Sequence, residues 1–111
     1  MKDDKETVKS ILTSCKCINN DISTCTDFKE FLMFGTIQRS CAYSLMQISV
    51  SIQQLSDDFK TEYKGIKWSS YEMMEDLITN RYDSIGKDNL WNTFVEEIPV
   101  LENYLKGIGM D

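Results

Sequence analysis

An all-α fold, an up-and-down four-helix bundle with additional short helices, follows from three features of the sequence. Apolar residues recur at spacings of three and four along most of its length, glycines fall between those stretches, and no run alternates apolar and polar residues as a half-buried strand does. The 111 residues form one domain, residues 1–111, long enough to bury roughly two-thirds of the unfolded surface around a single core.

The first helix is predicted from Asp4 to about Asn19. Val8, Ile11, Leu12, Cys15 and Ile18 make its inner face, and Asp3 and Asp4 suit its positive N-terminal end. Asn19 to Thr24 is dense in residues that bond their own backbone and reads as a connection. Thr26 or Asp27 then caps a short helix carrying Phe28, Phe31 and Leu32 and ending near Gly35. Ile37, Cys41, Leu45, Ile48, Ile52 and Leu55 form the seam of a long helix, on which Ser44 and Ser51 would let a neighbour approach closely. Ser56-Asp57-Asp58 starts another short turn through Phe59 and Tyr63.

Ser69 followed by Glu72 reads as a capping box opening a helix, with Tyr71, Met74, Leu77 and Ile78 on one face, that runs to about Tyr82 and stops near Ser84 and Gly86. The last helix starts near Asp88 with the most regular seam in the chain: Trp91, Phe94, Ile98, Leu101, Leu105 and Ile108. Pro99 lies inside it, so the helix should kink or restart there.

The charge balance, 12 basic against 18 acidic residues, works against autonomous binding to a phosphate backbone, although a basic partner could change that. The sequence contains no histidine, which removes the commonest acid/base near neutral pH and the commonest nitrogen ligand for metals. No cofactor and no metal is expected. Cys15, Cys17, Cys25 and Cys41 could be a disulfide framework, a zinc site or small apolar residues. Nothing repeats the spacing of a zinc ribbon, Cys15 and Cys41 fall on apolar stripes, and Cys17 alone looks exposed, which favours plain packing. No apolar run approaches a membrane span and the N-terminus has no secretory pattern, so a cytoplasmic protein with no membrane association is expected.

Trp68 to Trp91 is the stretch where chemistry is sought. Glu75 and Tyr82, seven apart, would share a helix face, and Asn80 lies one turn beyond Asp76, so that Glu75, Asn80 and Tyr82 would converge at one end of the bundle. Lys2-Asp-Asp-Lys5 leading into Ile11-Leu12, Leu55-Ser56 before Tyr63, Trp68, and Trp91-x-Thr93 before Ile98-Pro99-x-Leu101 follow one another across almost the whole chain. Together they resemble the HepT-like ribonucleases of the HEPN group. That resemblance implies a dimerising helical bundle, metal-independent RNase activity, a toxin–antitoxin role and a minimal nucleotidyltransferase antitoxin that transfers AMP to a tyrosine. The family motif, Arg, four residues, His, any residue, Tyr, falls on Glu75, Asn80 and Tyr82, so only the tyrosine matches.

The replacements alter the expected chemistry. An arginine there would hold the scissile phosphate, whereas Glu75 beside Asp76 repels it, a reversal worth roughly 3 kcal/mol per contact at about 5 Å and an effective dielectric of about 20. Asn80 donates hydrogen bonds but exchanges no proton, forfeiting the roughly 10² to 10⁴-fold credited to acid/base catalysis. Arg81 could supply a cation. Tyr82 reads either as a half-buried aromatic or, by resemblance, as the AMP acceptor. Glu72, Glu75, Asp76 and Asp83 read as a solvated acidic face or a docking surface for a basic partner. Three functions stay open: a degenerate HepT-like subunit that dimerises and docks a nucleotidyltransferase, which the residues favour, an active RNase toxin meeting RNA as substrate, and a helical interaction protein that kept only the fold. A homodimer is expected because Tyr71, Met73 and Met46 are apolar residues that one small core cannot all bury.

Overall fold

The structure, a computed structural model, describes residues 3–109; Lys2, which begins the charged start, lies outside the described residues. Helices α1 (Asp4–Ile22), α2 (Phe28–Met33), α3 (Gly35–Gln54), α4 (Asp57–Glu62), α5 (Trp68–Glu72), α6 (Met74–Arg81), α7 (Lys87–Asn92) and α8 (Ile98–Ile108) follow in order. A 3₁₀ turn at Tyr82–Ser84 separates α6 from α7, and a π turn at Thr93–Glu97 separates α7 from α8. No strand occurs among the described residues, and none of their helices is long and apolar enough to cross a membrane.

The long pair α1 and α3 forms the centre, with α6 and α5 laid on α3 and α8 on α1. The pair is antiparallel, because both its ends are pinned by side-chain bonds. At one end the Asp4 carboxylate accepts the Ser56 N–H at 2.9 Å and the Ser56 hydroxyl at 2.6 Å; at the other, Ser40 donates to Asp21 at 2.6 Å. The predicted seams fill the core: Ile11, Cys15 and Ile18 from α1, Leu45, Ile48 and Ile52 from α3, and Ile98, Leu101 and Leu105 from α8 are fully enclosed. Fully burying a side chain of this size contributes roughly 1.5–3 kcal/mol, so these stripes dominate the fold.

The helix starts follow capping chemistry. Asp3 accepts the Glu6 N–H at 2.8 Å, Asp27 the Glu30 N–H at 3.0 Å, and Ser56 the Phe59 N–H at 3.1 Å. α1 runs on to Ile22, past the predicted end at Asn19, and Gly35 begins α3 instead of ending α2. Of the three apolar residues predicted to face inward from α2, Phe31 is buried and Leu32 is exposed, because Phe31 takes the inner position against Trp91 and Phe94, with ring centroids 5.3 and 6.1 Å away.

Pro99 restarts the last helix. It occupies the first turn of α8, where a missing N–H leaves no intrahelical bond unmade, and the π turn ahead of it absorbs the change in register. Cys15, Cys25 and Cys41 are buried free thiols and Cys17 is exposed. Burial pushes the Cys15 and Cys41 thiols up to about 12, with the charges of Glu102 and Asp21 respectively adding to it. Tyr71, expected among the residues the core leaves out, is buried, and burial followed by the charge of Glu97 raises its phenol above the usual range. Met46 is half-buried, and Met73 does stay outside.

Candidate functional site

The predicted single helix from Ser69 to Tyr82 is two helices, and long-range bonds explain the break. The Trp68 N–H bonds to the Ile66 carbonyl and the Trp68 indole donates to the Tyr63 carbonyl at 2.8 Å, so α5 already begins at Trp68. Ser69 therefore sits inside the first turn and makes no cap, while Glu72 pairs with Lys60 at 2.9 Å. At the junction the Ser49 hydroxyl of α3 accepts the Glu75 N–H at 3.0 Å and donates to the Glu72 carbonyl at 3.3 Å. Gln53 adds bonds to the same carbonyl at 3.3 Å and to the Glu75 carboxylate at 3.0 Å. One helix thus supplies the groups that the broken backbone of its neighbour lacks. Ser44 is buried as expected of a close approach and Ser51 only half-buried, but the serine that holds the site together is Ser49.

Glu75 and Asn80 share a small open cleft of about 200 Å³ with Asp76 and Thr79. The Asn80 amide donates to Asp76 at 2.7 Å, and Glu75 is engaged by Gln53. The cleft holds two carboxylates and, among the described residues, no cation, so it disfavours phosphate at close range. Among the described residues no group of three or more acidic or cysteine side chains is placed to hold a metal ion.

Tyr82 does not join them, which corrects the expected convergence. α6 ends at Arg81, where φ moves to −140°, and the following 3₁₀ turn swings the Tyr82 ring off the Glu75 face. The ring lies in a second groove, about 330 Å³, with Arg39, Ala42, Tyr43 and Met46 of α3 and Ile78 of α6. α6 runs antiparallel to α3 here: Glu75 meets Ser49, Thr79 donates to the Met46 sulfur at 3.6 Å, and Tyr82 reaches Ala42 and Arg39. The Lys87 ammonium stands 4.5 Å from the centroid of the Tyr82 ring. The phenol is enclosed: its oxygen is buried and makes no hydrogen bond among the described residues. A buried hydroxyl without a partner costs roughly 1–3 kcal/mol, so the packing of the ring outweighs the desolvation of its oxygen.

Arg81 is exposed at this end and turns no side chain into the Glu75–Asn80 cleft. Arg39, Ser49 and Gln53 escaped the sequence reading because they meet the Trp68–Trp91 stretch from α3, and Lys87, within that stretch, because it reaches Tyr82 across a turn. A local signal exists only for Lys87, a cation five residues beyond a tyrosine at a helix end.

The model of the ribonuclease HepT-like family matches residues 8–108 of this chain. Among curated proteins, the chain is similar to one from Caldanaerobacter subterraneus subsp. tengcongensis, provisionally named as an RNase, at 24% identity over 108 residues, covering 97% of this chain and 96% of that protein. No solved structure matches significantly. With the all-helical core, the order of the seams and a match extending over nearly its whole length, the chain belongs to the ribonuclease HepT-like family.

Proposed function

We propose that this chain is a HepT-like toxin–antitoxin subunit that has lost most or all RNase activity and acts as a dimeric partner and substrate of a minimal nucleotidyltransferase. The observation that carries the reading is the cleft at the motif positions. Glu75 and Asp76 make it acidic, Asn80 is tied to Asp76, and no side chain in it both binds phosphate and exchanges a proton near neutral pH. The purified protein is expected to leave cellular RNA intact. Cleavage abolished by Asn80→Ala or Tyr82→Ala would instead establish the second reading, an active metal-independent RNase, which the name of the curated relative favours.

The partner reading rests on Tyr82, the one residue that keeps its motif position. In transfer, its phenolic oxygen attacks the α-phosphorus of ATP, pyrophosphate leaves, and the proton goes to a base of the partner. Because the oxygen is enclosed, the ring must first leave its groove, and the short 3₁₀ turn at Tyr82–Ser84 is the segment that opens. Incubation with a cognate minimal nucleotidyltransferase, Mg²⁺ and ATP should add one AMP mass, and Tyr82→Phe should abolish it. Added mass that survives Tyr82→Phe would overturn the assignment.

Self-association is supported by the exposed Leu32, Met33 and Phe34 where α2 gives way to α3, and by the exposed Tyr43 of α3. A dimer mass in light scattering at micromolar concentration is expected. A helical interaction protein that kept only the fold would show neither AMP transfer nor a nucleotidyltransferase on co-purification.

A further inference from the structure

A third cleft, of about 450 Å³, lies beside Tyr71, on the α8 side of the molecule and apart from the motif positions. One wall comes from the start of α5, where Lys67, Ser70 and Tyr71 stand three and four residues apart; the other comes from the π turn and α8, where Glu96 and Glu97 stand four and three residues before Val100. The two walls are tied together, because Gly65, in the loop ahead of α5, donates its N–H to the Tyr104 hydroxyl of α8 at 3.1 Å. Unlike the clefts at Asn80 and Tyr82, this one carries charges of both signs. An ion pair between Lys67 and either glutamate would consume both charges, yet none of the three is paired among the described residues. The Tyr71 phenol is raised by burial and then by the charge of Glu97, which sets that carboxylate close to the buried part of the cleft. The apolar part of the lining is Ile66, which is buried, and Val100, which is 60% exposed and has no partner to cover it in the fold.

We propose that this cleft binds a free α-amino acid with an apolar side chain, its ammonium on Glu96 and Glu97, its carboxylate on Lys67 and Ser70, and its side chain between Ile66 and Val100. Each part of such a ligand meets a matching group. Charge-assisted hydrogen bonds to a carboxylate and to an ammonium are the stronger kind, and a zwitterion makes both at once. A ligand of one sign fits less well: Lys67 repels a simple amine, and the two glutamates repel a simple anion. The side chain of the ligand covers Val100 and so removes apolar surface that the fold leaves in water. The volume falls within the range of small-ligand sites, which combine apolar walls with a few polar groups that fix orientation. Because the ligand bridges α5 and α8, it binds the folded chain alone and stabilises it by mass action. The inference is independent of the function proposed for Glu75, Asn80 and Tyr82, which lie in other clefts.

Leucine and two relatives that each lack one charge test the assignment. The full chain is titrated near neutral pH with L-leucine, with isoamylamine, which is leucine without its carboxylate, and with isocaproate, which is leucine without its amino group. Calorimetry and the methyl chemical shifts of Ile66 and Val100 report binding, and the melting temperature reports its effect on the fold. Leucine should saturate, shift both methyl signals and raise the melting temperature. Each relative should bind at least about tenfold more weakly, since it gives up one charge-assisted contact. Lys67→Gln and Glu97→Gln should each weaken leucine by about tenfold, while Lys67→Gln should leave isoamylamine no weaker, because it removes a repulsion from an amine. Lys67, Glu96 and Glu97 are exposed, so helical content should be unchanged, and Glu96→Gln serves as a further variant if either substitution perturbs the fold. Lys29→Gln, an equal loss of charge on exposed α2, should leave leucine affinity unchanged. No saturation at millimolar leucine would overturn the proposal. So would isoamylamine or isocaproate binding as tightly as leucine, or Lys29→Gln weakening leucine as much as Lys67→Gln does.

Discussion

At Trp68 the indole donates to the Tyr63 carbonyl at 2.8 Å, whereas at Tyr82, the far end of the same helical stretch, the phenol is enclosed and makes no hydrogen bond among the described residues. The contrast extends to the surroundings. Around Trp68 the rings of Phe59 and Tyr104 lie 6.0 and 6.4 Å away, the Gly65 N–H bonds the Tyr104 hydroxyl at 3.1 Å, and Lys60 pairs with Glu72. Around Tyr82 the helix breaks, a cation sits over the ring, and Arg39 has no carboxylate partner among the described residues. Polar satisfaction of the first kind fixes a single packing. An unmet donor and unpaired cations at one end of the stretch are instead what a partner enzyme can complete.

The largest effect that would test this comparison comes from Trp68→Ala, which should destabilise by about 3–5 kcal/mol in chemical denaturation, because it opens a cavity and strands the Tyr63 carbonyl. A cost below about 1 kcal/mol would remove the distinction between the two ends. Gly65→Ala should follow at roughly 1–3 kcal/mol, since a Cβ there runs into the Tyr104 ring and the loop must shift. Restoring room with Tyr104→Leu in the same chain should recover part of that loss, less the value of the Gly65–Tyr104 bond.

Alkali tests the interior that the two ends share. The Cys15 and Cys41 thiols are raised from 9.0 to about 12, and the Tyr71 phenol is also raised, all chiefly by burial. The unfolded chain therefore loses these protons first. Stability from this source is fully present below about pH 9 and declines as pH rises toward 12. Melting temperature should hold steady from pH 7 to 8.5 and fall above 9, and Cys15→Ala, while costing stability overall, should flatten that fall. The smallest change expected is Tyr82→Phe. Removing an oxygen that has no partner should leave stability unchanged or raise it by up to about 1 kcal/mol, and a loss above 1 kcal/mol would mean that the phenol is bonded after all.

The seams were legible because the residues that bury α1, α3 and α8 announce themselves at helical spacing within each element. Asp27, Ser56 and Pro99 were legible for the same reason, since capping and proline effects act within one turn. The α5–α6 break was not, because Ser49 and Gln53, which hold it, lie on another helix. Ser69 and Glu72 carry the residues of a capping box, but Trp68, fixed by Tyr63 and Ile66, starts the helix two positions too early for Ser69 to cap it. At the candidate site, Glu75 and Asn80 do meet in one cleft, while the rotation at Arg81 takes Tyr82 to another face. Sequence spacing assumes a continuous helix and cannot register a backbone angle that departs from it.

The two tryptophans give these two ends separate optical signals. Trp68 is buried among Phe59, Tyr63 and Tyr104, whereas Trp91 is half-buried against Phe28 and Phe31 at the end where α3 begins and the Tyr82 groove opens. Chains carrying Trp68→Phe or Trp91→Phe would each fluoresce from one end alone. If both emissions shift at the same denaturant concentration, the domain melts as one unit; if the Trp91 signal moves first, the end that would have to release Tyr82 opens while the Trp68 corner still stands.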